Sequence, residues 1–364
     1  MKKPILIAIS AILACMLIIA GCGASPESTP APEGETQKMK VALLLSGSLG
    51  DMSFLDSANA GMKAVSEKYG IEVKVIEMGP DASKYEPTFL DISEEDYDII
   101  IGSGWQTQEP IQNVAPDYPD KKYIIYDAAL DYSDGKYPNV YSITYKQNEG
   151  SFLAGCLATK MSKTGVIGFL GGAQGGVIDD FMVGYIEGAK YANPDIRVLA
   201  GYINSFVDSA KCKEMALSQY NQGNADFIFS AAGAAGLGTL DAAKEAGKFA
   251  IGADADQAML FNESDPEKAN VIPTSVMKRI DNSLIRAFDL IMEDKLAWGS
   301  VDELGLKDGA VGLSENEYYE KLIPAEIREE IRTVSEKIIS GEITVDTAFG
   351  KDNSQITAIL DTVK

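Results

Sequence analysis

The sequence predicts an α/β fold with two doubly wound lobes. From Lys40 onward, short apolar runs bounded by turn residues alternate with longer segments of helical periodicity. Several runs are apolar throughout, which is typical of parallel strands buried on both faces of a sheet. The number of runs, about ten, exceeds one ordinary sheet, and 364 residues suffice for two domains. We therefore expect two parallel sheets with helices on both faces.

The predicted elements follow one another in strand–helix order. Each strand is an apolar run that ends in turn residues, and the helices between them mostly span 10 to 15 residues, which is the pattern of βαβ units. The predicted strands are 41–45, 73–76, 99–101, 123–126, 140–143, 166–170, 198–203, 227–229, 249–251 and 271–276. The predicted helices include 57–69, 149–161, 177–191, 210–222 and 239–246.

The composition excludes several kinds of function. The chain has no histidine, and its formal net charge is −22. Without histidine there is no Ser-His-Asp or Cys-His catalytic set and no histidine ligand for zinc. The negative charge opposes nucleic-acid binding, which needs Lys and Arg to neutralise phosphates, and it disfavours highly phosphorylated ligands.

The N-terminus has the pattern of a bacterial export signal. Lys2 and Lys3 precede an uncharged apolar run that is shorter than the ~20 residues of a membrane-spanning helix. The run ends in Ile19-Ala20-Gly21-Cys22, which resembles a lipobox, so we expect acylation of Cys22 and removal of 1–21. The alternative is an uncleaved anchor helix in which this cysteine is incidental.

The residues after Cys22 suggest a tether. Residues 22–38 are rich in Pro, Ser, Thr and Glu and contain few large apolar side chains, so we expect a disordered segment. A lipid on Cys22 would hold the protein at the outer face of the cell membrane. Cys156 and Cys212 remain in predicted helices, where two buried free thiols are favoured over a disulfide.

Polar and aromatic residues recur directly after the predicted strands. The carboxyl ends of the strands are where open α/β sheets bind ligands. These positions carry Asp51, Phe54, Trp105, Asp127, Phe206, Gly233, Asp254 and Lys278. The mixture of aromatics and carboxylates suits a cleft for a flat, polar ligand.

Other ligand classes lack their motifs. Gly236-Leu237-Gly238 is followed by Asp241 where a dinucleotide fingerprint needs a third glycine, and no Walker A segment is present. Asp254 and Asp256 lack the glycine and closing glutamate of a calcium loop. We therefore assign no catalytic residue, no metal site and no cofactor.

Several short motifs recur along the chain in a specific order and spacing, although no single one is decisive. They are 50–54 (GDMSF), 148–155 (NEGSFLAG), 168–172 (GFLGG), 184–188 (GYIEG), 231–233 (AAG), 236–238 (GLG), 252–257 (GADADQ), 274–278 (TSVMK) and 338–343 (IISGEI). Together they resemble one family, the basic membrane lipoproteins, also called the purine nucleoside receptor family, whose members are substrate-binding proteins of ABC importers.

The resemblance implies a type I periplasmic-binding-protein fold, in which two Rossmann-like lobes with parallel sheets are joined by a three-crossover hinge and close on a ligand. We place the crossovers near Tyr145, Pro273 and Gly309. Lobe 1 then contains 39–144 and 274–309, and lobe 2 contains 145–273 and 310–364.

The resemblance also implies the ligand and the roles of site residues. Members typically bind purine nucleosides and deliver them to a permease, and we expect a monomer. Phe54 and Phe206 would sandwich the base, and Asp127 would accept hydrogen bonds from its edge. Asp254 and Lys278 would bind the ribose. Gly233 would allow close backbone approach, Asp51 would orient the first loop or touch the ribose, and Trp105 would line the cleft.

Each of these residues also has a structural interpretation. The aromatic rings can pack within a lobe, Asp127 can cap a turn and Lys278 can pair with a carboxylate. Leu55 is a departure from the family, which commonly has Asn directly after the stacking Phe. The departure leaves open an altered base preference or another ligand.

Two competing functions remain. One is a binding protein for a free sugar or sugar-like signal, since other proteins of this fold bind sugars. The other is a nucleoside-cleaving enzyme that uses Asp127 and Asp254 as an acid–base pair. The absence of histidine and of a recognisable metal or phosphate site opposes the enzyme.

Overall fold

The structure, a computed structural model, describes residues 38–363. The predicted export signal, Cys22 and the tether up to Gln37 lie outside the described residues. In chain order the strands are β1 Lys40–Leu45, β2 Glu72–Glu77, β3 Ile99–Ser103, β4 Lys122–Tyr126, β5 Val140–Tyr145, β6 Val166–Gly171, β7 Arg197–Tyr202, β8 Phe227–Ala231, β9 Phe249–Asp254, β10 Ser275–Lys278, β11 Ser300–Leu304 and β12 Val311–Leu313.

Helices cover both sheets. The α-helices of the described part are α1 Phe54–Tyr69, α2 Tyr85–Glu94, α3 Gln108–Val114, α4 Gln147–Met161, α5 Gly176–Ala192, α6 Ser209–Asn221, α7 Leu237–Ala246, α8 Gln257–Phe261, α9 Pro266–Ala269, α10 Ile280–Met292, α11 Glu317–Leu322, α12 Ala325–Ile339 and α13 Asn353–Asp361. Within residues 38–363, none of these helices is both long enough and apolar enough to cross a membrane.

The strands form two six-stranded sheets with the same internal arrangement. The first has the order β11-β5-β4-β3-β1-β2, and the second has the order β12-β10-β9-β8-β6-β7. Neighbouring strands are parallel except for β12, which runs antiparallel to β10. The predicted α/β fold of two lobes with parallel sheets is confirmed.

The central strands are buried on both faces, as their uninterrupted apolar sequences require. In β1, Val41, Leu43 and Leu45 pack into the core on one side of the sheet. Ala42 and Leu44 pack into the core on the other side. Continuous burial of this kind explains why these strands were recognisable without a period of two.

The two edge strands next to the crossovers were not predicted. β11 alternates between exposed and half-buried residues, and β12 has only three residues, so neither is an apolar run. The strand expected over 271–276 begins at Ser275, because Pro273 has no N–H to donate to a sheet.

The chain passes between the sheets three times. It does so between Tyr145 and α4, between Lys278 and α10, and between β11 and β12. The crossovers lie side by side, since the N–H of Lys146 donates to the carbonyl of Leu304 and that of Arg279 to the carbonyl of Ala310. The second crossover was expected near Pro273, but it lies further along the chain, after Lys278. Residues 275–278, which the sequence analysis assigns to lobe 1, pair with β9 in the second sheet, because an apolar run does not reveal which sheet it joins.

Helices α4 and α5 pack with their backbones in close approach. A Cβ at Gly155 would overlap the carbonyl oxygen of Tyr185, and a Cβ at Gly188 would overlap that of Phe152. Gly184 faces Asn148 in the same way. The glycines of two family motifs therefore have a packing role.

The two cysteines of the described part are buried free thiols. The Cys156 thiol lies 3.1 Å from the carbonyl oxygen of Gly188, and the Cys212 thiol lies 3.1 Å from the hydroxyl of Thr239. They belong to different cores of the second lobe.

We expect Gly188→Ala to destabilise the protein by about 2 kcal/mol or more, because the added methyl forces α4 and α5 apart and this cost exceeds the better helix propensity of alanine. Urea unfolding measures the change. Gly175→Ala is the control, since nothing lies within 4 Å of a Cβ at Gly175. Equal stabilities of the two variants would contradict the packing role.

Candidate ligand-binding site

The loop between β1 and α1 is held by a buried carboxylate. The Asp51 side chain accepts hydrogen bonds from the backbone N–H groups of Ser53 at 3.0 Å, Leu55 at 2.8 Å and Asp56 at 3.1 Å. These are N–H groups at the start of a helix, which have no partner within it. Asp51 therefore caps α1 and fixes the loop that presents Phe54.

The residue after Phe54 contributes apolar surface. Leu55 is buried in the core of the first lobe and borders a cavity between the lobes. An asparagine here would offer a donor and an acceptor, and leucine offers neither. The position thus lacks the polar contact that the family pattern suggests.

Three aromatic residues surround the cleft with different exposures. The Phe54 ring is half-buried, and its centroid lies 5.2 Å from that of Tyr126 at the end of β4. Phe206 follows β7, is half-buried and packs on Gly172, where a Cβ would collide with the ring. Trp105 is 51% exposed in the short 3-10 helix after β3. Phe54 and Trp105 come from the first lobe, and Phe206 comes from the second.

A buried ion pair crosses the cleft. The ammonium of Lys278, at the end of β10, donates to Oδ1 of Asp127 at 2.7 Å. Lys278 is 1% exposed and Asp127 is 7% exposed. Burial raises the pKa of Asp127, and the positive charge of Lys278 opposes that shift. The rings of Phe54 and Phe181 lie 5.8 and 4.7 Å from the ammonium nitrogen, so their faces stabilise it further.

The second buried carboxylate belongs to Asp254 at the end of β9. Its Oδ2 accepts a hydrogen bond from the Ser53 hydroxyl at 2.6 Å. Its Oδ1 accepts none from any residue in the range 38–363. Burial raises the pKa of Asp254, while Lys278 and Ser53 favour the ionised form. One carboxylate oxygen is therefore held by Ser53, while the other has no hydrogen-bond donor among the described residues.

Gly233 begins a short 3-10 helix directly after β8. Its φ of +53° lies in the left-handed region, and a Cβ there would lie 3.6 Å from the carbonyl oxygen of Phe206. A side chain would be strained by the backbone conformation. Glycine thus lets the backbone turn next to the aromatic ring.

The eight predicted residues line one cavity of about 640 Å³ between the two lobes. A larger cavity of about 880 Å³ adjoins it on the side of the crossovers, and Trp105, Asp127 and Phe206 border both. We regard the smaller cavity as the site because Asp254 and Lys278 line it and do not line the larger one. The eight predicted residues that line the smaller cavity are Asp51, Phe54, Trp105, Asp127, Phe206, Gly233, Asp254 and Lys278.

Ser53 and Gln257 were not predicted for the site. Ser53 bonds to Asp254, and Gln257 donates from its side-chain nitrogen to the carbonyl of Met52 at 3.0 Å. Ser53 lies in the motif 50–54 and Gln257 in the motif 252–257, so their place in these motifs was the sequence signal that could have indicated a role at the site. Residues 38–363 contain no group of three or more acidic or cysteine side chains with the geometry of a metal site.

The capping carboxylate makes stability depend on pH. Burial raises the pKa of Asp51 from 3.8 to about 6, against the three N–H donors. The folded protein then binds this proton more tightly than the unfolded chain, so the contribution of Asp51 to stability is fully present below pH ~4 and is lost as the pH rises through ~6. We expect the stability of the wild type relative to Asp51→Asn to fall by up to about 3 kcal/mol from pH ~4 to pH ~8.

Urea unfolding across this pH range measures that difference. Ala60→Ser is the control, since this exposed position on α1 carries no ionisable group before or after the change, and it should give a nearly constant difference from the wild type. If the Asp51→Asn curve ran parallel to that of the wild type, Asp51 would not titrate as the structure implies.

Comparison with known proteins agrees with this architecture. Residues 38–348 match the family described as ABC transporter substrate-binding protein PnrA-like. Basic membrane protein A1 of Borrelia garinii subsp. bavariensis is 37% identical over 315 residues, covering 85% of this chain and 89% of that protein. The CD4+ T-cell-stimulating antigen of Listeria monocytogenes is 32% identical over 367 residues, covering 94% of this chain and 98% of that protein.

Solved structures show the same fold. A solute-binding protein of an ABC transporter system from Aeropyrum pernix K1 superposes with a TM-score of 0.79 at 28% identity, over 89% of this chain and 97% of the other. A transcriptional activator of the comK gene from Bacillus halodurans superposes with a TM-score of 0.70 at 21% identity, over 84% of this chain and 100% of the other, and shows the fold alone. With its two lobes, its cleft and its sequence match over nearly the whole described part, this chain belongs to the PnrA-like family of ABC transporter substrate-binding proteins.

Proposed function

We propose that this protein captures nucleosides, purine nucleosides above all, between its two lobes and delivers them to the membrane permease of an ABC importer. The observation that carries the proposal is the smaller cavity, of about 640 Å³, which is lined by aromatic rings and buried charged groups from both lobes. The proposal assigns binding and release to the protein, with no catalytic step.

The aromatic residues suit a nucleobase. A base has a flat face, and stacking on one aromatic side chain contributes ~1–3 kcal/mol. Phe54 and Phe206 come from opposite lobes and are both half-buried, so part of each ring is accessible. We assign them to the two faces of the base. A volume of about 640 Å³ lies within the usual range for small-molecule sites.

The charged groups suit a neutral ligand with hydroxyl groups. We assign Asp254 Oδ1 to the ribose hydroxyls, because charge-assisted hydrogen bonds contribute about 1.5–3 kcal/mol each. An ammonium has three N–H donors, and Lys278 uses one of them on Asp127. We assign another to a ribose oxygen, and the carboxylate of Asp127 to the edge of the base.

The other predicted residues have supporting roles in the proposal. Asp51 orients the loop that carries Phe54, since its carboxylate is engaged with backbone N–H groups. Gly233 allows the backbone to approach the ligand, and Trp105 lines the cavity with about half of its surface exposed.

We further propose a lipid anchor on Cys22, which would keep the protein at the outer face of the cell membrane as a monomer. The basis is the lipobox-like sequence before Cys22 together with the family membership of the chain. A tethered binding protein remains near its permease, which suits delivery.

A thermal-melt screen of the protein from Lys38 onward tests the ligand class. The panel contains adenosine, guanosine, inosine, cytidine, uridine, the free bases, ribose and galactose. We expect purine nucleosides to stabilise the protein by about 4 kcal/mol at a thousand times their Kd. If ribose or galactose stabilised the protein and no nucleoside did, the ligand would be a sugar and the proposal of a nucleoside would be wrong. Inosine should also be recovered intact after prolonged incubation, and release of hypoxanthine would indicate an enzyme.

Removal of one stacking ring tests the base sandwich. We expect Phe206→Ala to weaken purine nucleoside binding about five- to 150-fold, because one stacking contact is lost, and Phe206→Trp to retain most of the affinity. Tyr191→Ala is the control, since Tyr191 is an exposed aromatic residue outside the site cavity. Calorimetric titration with inosine measures the affinity of all three variants. Equal affinity of Phe206→Ala and Tyr191→Ala for inosine would show that Phe206 does not stack on the ligand.

A further inference from the structure

We infer that Ser53 is a positioning residue that orients Asp254 for the ligand across the interlobe boundary. It acts within what we call the interlobe latch, which consists of Ser53 and Met52 from lobe 1 and Asp254 and Gln257 from lobe 2. The inference rests on the proposed function for its ligand and adds the means by which lobe closure prepares the ribose-binding carboxylate.

The latch has two hydrogen bonds that cross between the lobes. The Ser53 hydroxyl donates to Oδ2 of Asp254 at 2.6 Å, and it also lies 3.3 Å from the carbonyl oxygen of Ala253. The side-chain nitrogen of Gln257 donates to the carbonyl of Met52 at 3.0 Å. Ser53 is 0% exposed and Asp254 is 8% exposed, so water does not compete strongly for the first bond.

Ser53 occupies a helix-capping position without capping the helix. It is the N-cap of α1, where a serine ordinarily accepts a hydrogen bond from the N–H two or three residues on. Its side chain makes no such bond here, and the carboxylate of Asp51 accepts from the free N–H groups instead. The division of tasks leaves the serine hydroxyl free to donate to the other lobe.

The loop around Ser53 is fixed in the required shape. Met52 has a φ of +54°, which is unusual for a residue with a side chain. The Asp56 carboxylate holds this turn by accepting from the N–H groups of Gly50 at 2.9 Å and Met52 at 2.8 Å. Such a conformation persists where neighbouring bonds support it. Its effect is to direct the Met52 carbonyl and the Ser53 hydroxyl toward lobe 2.

The lobe 2 side is equally well defined. The amide oxygen of Gln257 accepts from the N–H of Ala253 at 3.2 Å, which leaves its nitrogen to reach Met52. Asp254 has a φ of +63° at the end of β9. The carboxylate therefore has one oxygen on Ser53, and we assign the other to the ligand because Asp254 lines the cavity. Without Ser53, both oxygens would need new donors and the carboxylate could rotate.

Ser53→Ala tests the inference with inosine as the probe. We expect the variant to bind inosine about tenfold more weakly or worse, with faster dissociation, because a hydrogen bond to a charged group is lost. Ser57→Ala is the matched control. Ser57 lies one turn further along α1, and its hydroxyl accepts from the N–H of Asp281 within lobe 1. This control should bind inosine like the wild type.

A double-mutant cycle separates positioning from direct ligand contact. If Ser53 acts through Asp254, then Ser53→Ala should cause little further loss when Asp254→Asn is already present. Additive losses would overturn the inference, as would wild-type affinity of Ser53→Ala. Thermal unfolding of the free variants shows whether either change acts merely by destabilising the fold.

Failure of the proposed function gives a different pattern. If the wild type binds neither inosine nor any other nucleoside of the panel, the latch is judged from X-ray scattering of the free proteins. A larger radius of gyration for Ser53→Ala than for the wild type and Ser57→Ala would then support the latch. Identical radii would overturn it.

Discussion

The site depends on the burial of charged side chains where the edges of two sheets meet. An unpaired buried charge costs several kcal/mol, and a buried ion pair is tolerated only with good geometry. Lys278 comes from the second sheet and Asp127 follows a strand of the first, so their 2.7 Å contact requires both lobes. Asp254 adds a second carboxylate that is satisfied partly from the opposite lobe. These buried charges are therefore satisfied by contacts that join the two lobes.

The cleft is built from two equivalent halves. Because the sheets share one strand order, β4 and β9 occupy corresponding positions, and Asp127 and Asp254 stand at their ends. Both aspartates have a φ of +63°, a conformation that Asp tolerates better than most residues. Each strand thus turns sharply at its end and directs a carboxylate into the same cavity. The halves differ at the ends of β5 and β10, where Tyr145 corresponds to Lys278 and makes the site asymmetric.

The sequence predicted two lobes with parallel sheets and eight residues that line the cavity, but it did not predict two edge strands, the sheet that residues 275–278 join or the contacts between the lobes. Fully apolar strands and the residues after them predict both sheets and place Asp127 and Asp254 at the ligand-binding edge. β11 and β12 were not predicted from the sequence because short, half-exposed edge strands lack an apolar run. The hydrogen bond from Ser53 to Asp254 was not predicted from the sequence. A serine before a helix has the pattern of a cap, and its partner Asp254 lies 201 positions away. Periodicity reports local structure, and pairing over such separations is set by the packing of the lobes.

We propose that the two lobes hold a nucleoside between Phe54 and Phe206 with its ribose on Asp254. The most direct measurement is a crystal structure of the protein from Lys38 onward grown with inosine. We expect density for the base between these two rings and a ribose hydroxyl within hydrogen-bond distance of Asp254 Oδ1, with the Ser53 bond retained. Inosine bound elsewhere, or bound in this cavity with its ribose away from Asp254, would contradict it.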